Sequence, residues 1–216
     1  MNGSAATVAI LLAAGRSARF GAEDKLKAFF LGRPLAHHAA ATLAGIGLAR
    51  CIAIVSETAN LGLEEFGFET IEIKAGAPLS SSLKAGIAAA EGQNALIALA
   101  DMPLVPGKHF RRLLEVHTGG ATASDWNGQA MVPAVIDGTL SEDVLALDGD
   151  RGAQSLLKAA KLVEAWPEWL VDIDTPEQLA AAEMAHKTAT ALNAPSPQYG
   201  DATAIIPASA REFWKG

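Results

Sequence analysis

The chain has 216 residues and a formal net charge of −7, which excludes a general nucleic-acid binder presenting a basic face. Half of it is hydrophobic and only 19% charged, which excludes a disordered chain and supports one domain of ordinary size with a substantial core. The one cysteine, Cys51, excludes an internal disulfide framework; it opens an apolar run and is expected as a buried small hydrophobe.

The first run, Thr7 to Leu12, is short, branched and uncharged, which predicts a strand buried on both faces of a parallel sheet. Ala13, Ala14 and Gly15 then remove side-chain bulk where the chain leaves the sheet, so a ligand would approach the backbone closely. Backbone N–H groups there, joined by Arg16, Arg19 and Lys25, form a nest for several phosphate oxygens. The acidic net charge does not exclude such a small anionic ligand, because these cations cluster locally.

A helix is predicted from Pro34 to about Ile46, with Gly45 and Gly47 marking its end. A buried strand follows at Cys51–Val55, and Glu69–Ile73 alternates like a more exposed one. Ala75–Pro78 reads as loop, and Ser80, Ser81 and Ser82 offer N-caps for a helix through about Ala90. The histidines at 37, 38, 109, 117 and 186 are scattered without zinc-site spacing and read as helix-face residues.

Ala95–Ala100 is the most strand-like run, and it ends in Asp101-Met-Pro-Leu. An acid at the carboxyl end of a buried strand stands where open α/β sheets bind ligands. Facing a phosphate nest it would need a cation between them, and Mg²⁺ is the natural one; an ordinary helix N-cap is the competing role. A helix is expected near Gly107–Val116, then two strands, Ala121–Ser124 and Met131–Ile136, around Trp126-Asn-Gly128, with spacing too loose for a tight hairpin. Asp148, Asp150 and Arg151 occupy a Gly-flanked loop entering a helix, whose N-terminal dipole suits an anion. Trp169–Asp174 is predicted as a strand, with Asp172 and Asp174 on opposite faces so that only one joins Asp101 while the other caps the next helix. That helix opens at Thr175-Pro176 and runs to about His186. Alternating strands and helices define a mostly parallel α/β sheet. No charged segment precedes the first apolar run and no run is long enough to span a bilayer, so a cytoplasmic protein without a membrane partner is expected. Residues 188–216 are Pro-broken yet carry Ile205, Ile206, Phe213 and Trp214, and are expected to pack on the domain or on a second subunit.

Four segments stand in order: Leu12-Ala-Ala-Gly-Arg-Ser-Ala-Arg-Phe-Gly21 with Lys25, then Ala100-Asp-Met-Pro103, Gly149-Asp-Arg-Gly-Ala-Gln154 and Asp172-Ile-Asp-Thr-Pro-Glu177. Together they resemble the nucleotidyltransferases of molybdenum cofactor maturation, closest to the molybdopterin cytidylyltransferase branch, over roughly the first 185 residues. The resemblance implies a single three-layer, Rossmann-like α/β domain of the nucleotide-diphospho-sugar transferase type over residues 1–187, with 188–216 as a separate tail. It implies transfer of CMP from CTP, or GMP from GTP in the sister branch, to the terminal phosphate of molybdopterin, with pyrophosphate released and a recipient molybdoenzyme downstream.

By position, the resemblance implies that Leu12, Ala13, Ala14 and Gly15 line the base and triphosphate and that Arg16, Arg19, Lys25 and Asp101 are catalytic. Asp101 would hold Mg²⁺, with Asp172 or Asp174 as a second carboxylate. Ser82, Asp150, Arg151 and Gly152 would face substrate, the last three on the pterin side. Alanine at 14, where the guanylyl branch usually has glycine, is what the cytidylyl branch shows. The chain departs from the cytidylyl pattern at Ala77-Pro-Leu-Ser-Ser-Ser82 and at Met131-Val-Pro133, both bordering the acceptor in the family. Two other readings are a nucleotidyltransferase using GTP or a sugar phosphate, and a non-catalytic scaffold that binds nucleotide or pterin for a partner enzyme. The first corner lacks the Gly-x-Gly-x-x-Gly of a dinucleotide-dependent dehydrogenase, and Gly76–Ser82 lacks a serine-hydrolase elbow.

Overall fold

The computed structural model describes residues 6–15, 20, 24–146 and 156–191. Strands are β1 (Thr7–Ala13), β2 (Phe29–Phe30), β3 (Arg33–Pro34), β4 (Cys51–Ser56), β5 (Phe68–Ile73), β6 (Asn94–Leu99), β7 (Ala121–Trp126), β8 (Gln129–Ile136) and β9 (Lys161–Glu164). Helices are α1 (Leu35–Ala44), α2 (Leu79–Ala89), α3 (Gly107–Val116), α4 (Ser141–Ala146) and α5 (Pro176–Ala191). Seven strands form one sheet in the order β5-β4-β1-β6-β8-β7-β9. All run parallel except β8, which is antiparallel to both neighbours.

The apolar run at the start of the chain takes the central place because it carries nothing that needs water. Val8, Ile10 and Leu12 point to one face and join Ile52, Ile54, Leu83, Ile87 and Ile97 in a core cluster covered by α2 and α4. Ala9, Leu11 and Ala13 are buried on the other face, beneath α1, while α3 covers β7 and β8. The three layers follow from a strand that is apolar on both sides.

Several expectations need correction. Trp126-Asn127-Gly128-Gln129 does form a tight hairpin: Trp126 pairs with Gln129, and Asn127 and Gly128 take the positive φ values (50° and 81°) of a primed turn. The sequence offset that argued against it is absorbed by a bulge between Ala123 and Ser124. Ser80, Ser81 and Ser82 do not cap α2. Pro78 occupies the cap position without a side-chain bond, and Ser80 and Ser82 lie inside the helix with Ser80 5% and Ser82 2% exposed. Trp169–Asp174 is not a strand. Pro167 opens a 3-10 turn through Leu170, after which Val171 and Ile173 are buried in an irregular segment. Apolar content there reflects burial, not a ladder.

Contacts divide the chain into a unit of residues 1–179, which holds the whole sheet, and a unit of residues 180–216. The described part of the second is the helical stretch to Ala191, where Lys187 pairs with Glu183 at 3.2 Å. The expected packing of residues 192–216 falls outside the described residues. Among the described residues no helix is long and apolar enough to cross a membrane.

Gly86 of α2 sits where a Cβ would lie 2.6 Å from Cγ2 of Ile10, a branched side chain locked in the core. Gly86→Ala is therefore expected to lower stability by about 1–3 kcal/mol in denaturant melts through overpacking; an unchanged midpoint would contradict this helix–sheet contact.

Candidate active site

The chain leaves β1 for β4 on one side and later returns to β6 on the other, so the strand order reverses between β1 and β6. Open α/β sheets bind ligands outside the carboxyl ends of the strands at such a point. The two ends are aligned here: Leu12 pairs with Leu99, and Ala100 N–H donates to the Leu12 carbonyl at 3.0 Å. Ala13 and Ala14 are buried, whereas Gly15 is exposed, and an added Cβ on it would meet nothing within 4 Å. Asp101 stands directly across from this corner. It caps no helix, because α3 begins only at Gly107.

Two distant segments converge on Asp101. Asp24 accepts from Leu26 N–H at 3.0 Å and caps a 3-10 turn that buries Leu26 and turns Lys25 inward. The turn continues into the β2–β3 hairpin, which is fastened to α1 by His38: its Nε2 donates to the Phe30 carbonyl at 2.7 Å while its Nδ1 accepts from Arg33 Nε at 3.2 Å. Lys25 Nζ then donates to Asp101 Oδ2 at 2.7 Å and to Asp174 Oδ1 at 2.6 Å, with its side chain only 4% exposed. Asp174 is fixed by the start of α5, a capping box in which Gln178 Oε1 accepts from the N–H groups of Asp174 and Thr175 while Thr175 Oγ1 accepts from Gln178 N–H. Ile173 N–H donates to the Asp101 carbonyl at 3.0 Å, joining that segment to the end of β6.

The electrostatics follow from this packing. Burial works against the charge on Lys25, but Asp101 and Asp174 more than offset it and hold its pKa above the ordinary value. Asp172 is pushed up, first by burial and then by the charges of Asp101 and Asp174. Its residue surface is nonetheless open to solvent. Because the segment is irregular, the alternation that would separate Asp172 from Asp174 does not apply. Asp174 shares an ammonium with Asp101, and Asp172 is close enough to feel both carboxylates. Asp101 Oδ1 is buried and has no hydrogen-bond partner. Among the described residues three carboxylates gather near one ammonium, and the buried Asp101 oxygen without a hydrogen-bond partner fits a cation ligand. Among the described residues no group of three or more His, Cys, Asp or Glu is set to hold a metal ion.

Two neighbouring features frame the site. Pairing of β6 with β8 stops at Ile97–Ala134, so Met131, Val132 and Pro133 run on beside the carboxyl end of β6 without ladder bonds to it. They are held instead from α3. Ser124 Oγ donates to the Pro133 carbonyl at 2.8 Å, so His109 Nε2 must be the donor to Ser124 Oγ, also at 2.8 Å. The reading of the histidines as helix-face residues thus missed that His109 and His38 are buried structural bonds. On the other flank, a cleft of about 340 Å³ opens at the ends of β4 and β5, but Glu57, Glu64 and Glu72 line it, which disfavours a polyphosphate. Leu12 and Ser82 are buried within β1 and α2. Arg16, Arg19, Asp150, Arg151 and Gly152 lie outside the described residues.

A switch point furnished with an ammonium and carboxylates, without a dinucleotide-binding glycine fingerprint, is consistent with an α/β nucleotidyltransferase. The chain belongs to the MobA-like NTP transferase domain family, which matches residues 9–165. Among solved structures, a nucleotidyl transferase from Methanothermobacter thermautotroptrophicus (Mth528) is 26% identical with a TM-score of 0.67, covering 85% of this chain and 98% of that one. Rv0371c from Mycobacterium tuberculosis shares the fold at 17% identity and a TM-score of 0.70, covering 84% of this chain and 98% of its own. So does 4-diphosphocytidyl-2C-methyl-D-erythritol synthase from Anaerococcus prevotii, at 13% identity and a TM-score of 0.65, covering 83% and 98%. No curated protein matches the chain.

Burial lowers the pKa of His109 from 6.5 to about 4. A group depressed in the folded state contributes stability above its unfolded pKa and loses it on acidification, so stability should fall by on the order of 3 kcal/mol as pH drops from 6.5 to 4. His109→Gln keeps a donor to Ser124 and should lack this component in denaturant melts. An identical pH slope in the variant would contradict the assignment.

Proposed function

We propose that the protein transfers CMP from CTP to the terminal phosphate of molybdopterin and releases pyrophosphate, with Mg²⁺ as the metal. The observation that carries the reading is the Lys25–Asp101–Asp174 cluster, gathered at the β1–β6 switch point beside the open corner at Gly15. The family and the neighbouring nucleotidyltransferase structures support nucleotidyl transfer as the reaction class. Cytidylyl transfer to a pterin is supported by alanine at position 14 and by the late Asp172-Ile-Asp-Thr-Pro-Glu177 segment, both features of the resembled branch.

In the transfer, an oxygen of the acceptor phosphate attacks the α-phosphorus in line as the bond to the pyrophosphate oxygen breaks. Repulsion among anions is the main barrier, so positioning and charge compensation dominate. Ala13, Ala14 and Gly15 let the triphosphate approach backbone N–H groups. Arg16, Arg19 and Lys25 supply cations for charge growing on the leaving pyrophosphate. Asp101 would hold Mg²⁺ through Oδ1, with Asp172 or Asp174 as a second ligand; few protein carboxylates plus substrate phosphates is the ordinary manner of Mg²⁺ binding. When bound, Mg²⁺ supplies further charge compensation at the phosphates. Met131–Pro133, bordering Asp101 and held by His109 and Ser124, would face the acceptor.

Pyrophosphate release, assayed with CTP or GTP and with or without molybdopterin, tests the reading. Release requiring both CTP and the pterin is expected. A preference for GTP would move the protein to the guanylyl branch, and nucleotide binding without any release would leave a scaffold. In the same assay Asp101→Asn and Lys25→Ala should each cut turnover by ~10²-fold or more, the scale for loss of one electrostatic stabiliser. Near-wild-type turnover in either variant would remove that residue from the mechanism. Gly15→Val should raise KM for CTP with an unchanged melting temperature, since its side chain would project into the open corner.

A further inference from the structure

We infer that Lys25 holds the place of the divalent cation in the nucleotide-free protein and gives up Asp101 and Asp174 when nucleotide and cation enter together. The inference deepens, and rests on, the reading of this cluster as a nucleotidyl-transfer centre. Nζ lies 2.7 Å from Asp101 Oδ2 and 2.6 Å from Asp174 Oδ1, so one ammonium bridges two carboxylates distant in sequence. These are two of the carboxylates that would hold a divalent cation. A divalent cation using the same oxygens would stand within a few ångströms of the ammonium, and with Lys25 only 4% exposed there is little water to screen the repulsion. The bridge therefore opposes binding of a bare cation, in keeping with the lack of a preset metal cluster among the described residues.

The way out of the bridge is built into the same groups. Asp101 Oδ1 is buried and unbonded, giving an entering cation a ligand that Lys25 does not occupy. A triphosphate arriving beside Gly15 offers Nζ new anionic partners. Lysine suits the exchange because its ammonium is a compact point charge with three rotatable donors on a flexible stem, whereas a forked guanidinium would be fixed to one geometry. Only non-covalent partners change, and Lys25 remains protonated throughout. The consequence is ordering: the protein accepts metal with nucleotide rather than before it.

The test is a Mn²⁺ titration of the full chain, followed by the loss of the free-ion electron paramagnetic resonance signal. Lys25→Met and Lys25→Gln should bind Mn²⁺ alone at least ~10-fold more tightly than wild type, because the competing charge is gone. Equal or weaker binding in a variant that melts cooperatively would overturn the inference. The wild type gives an independent arm should both variants misfold. By calorimetric titration it should bind Mn²⁺ alone at least ~10-fold more weakly than it binds the preformed Mn²⁺–CTP complex; equal affinities would overturn the exchange. If the variants gain Mn²⁺ affinity but the wild type binds no CTP, the cation place-holding stands and the transferase reading falls. If CTP is turned over but neither variant gains affinity, only the exchange falls.

Discussion

The bond network centred on Lys25 is the constraint on which the rest of this structure depends. Its ammonium joins residues 76 and 149 positions away in sequence, tying the loop after the first strand to the end of the fourth long strand and to the cap of the last helix. Such a bridge is costly to build, since a buried ammonium and two carboxylates all lose water. It is tolerated because each partner is fixed independently. The Asp24 cap and the hairpin fastened by His38 orient Lys25, the β1–β6 ladder carries Asp101, and the Gln178 capping box locks Asp174. Hydrophobic packing of the sheet and helices sets the frame, and the ion bridge makes three ends of that frame meet at one point.

The meeting point coincides with the strand-order reversal, which is why fold and chemistry are inseparable here. Parallel strands β1 and β6 end side by side, leaving backbone N–H groups of a small-residue corner opposite a carboxylate. Phosphate needs the first and a metal ion the second. Among the described residues Asp101 Oδ1 is buried without a hydrogen-bond partner, which leaves an open acceptor at this corner. A structural ion-pair cluster would be expected to satisfy that oxygen.

Much of this was legible in the sequence where one physical cause acts alone. The run at Thr7–Leu12 read as a strand buried on both faces, and the acid after Ala95–Ala100 read as lying at the carboxyl end of such a strand, and both are found so. The helix at Gly107–Val116 and Pro176 as a first helical residue followed equally directly. What escaped involved competition between causes. Val171 and Ile173 are apolar because an irregular segment buries them, which imitates a strand. Ser80 and Ser82 resemble caps, yet Pro78 already fixes the entry to α2 and small residues are needed against the sheet. The tight hairpin at Asn127-Gly128 was hidden by a bulge that shifts the apparent strand ends. Above all, the sequence set Lys25 among phosphate-binding cations, and nothing in its spacing reveals that in the free protein it faces Asp101 and Asp174.

The central claim, that nucleotide binds at the β1–β6 corner around this cluster, is tested most directly by mapping amide shifts of isotope-labelled protein as CTP is added with Mg²⁺. The account predicts the largest shifts at Ala13, Ala14, Gly15, Asp101, Ile173 and Asp174. Shifts centred instead on Thr58 to Glu64 would place the nucleotide in the acidic cleft at the ends of β4 and β5 and contradict it.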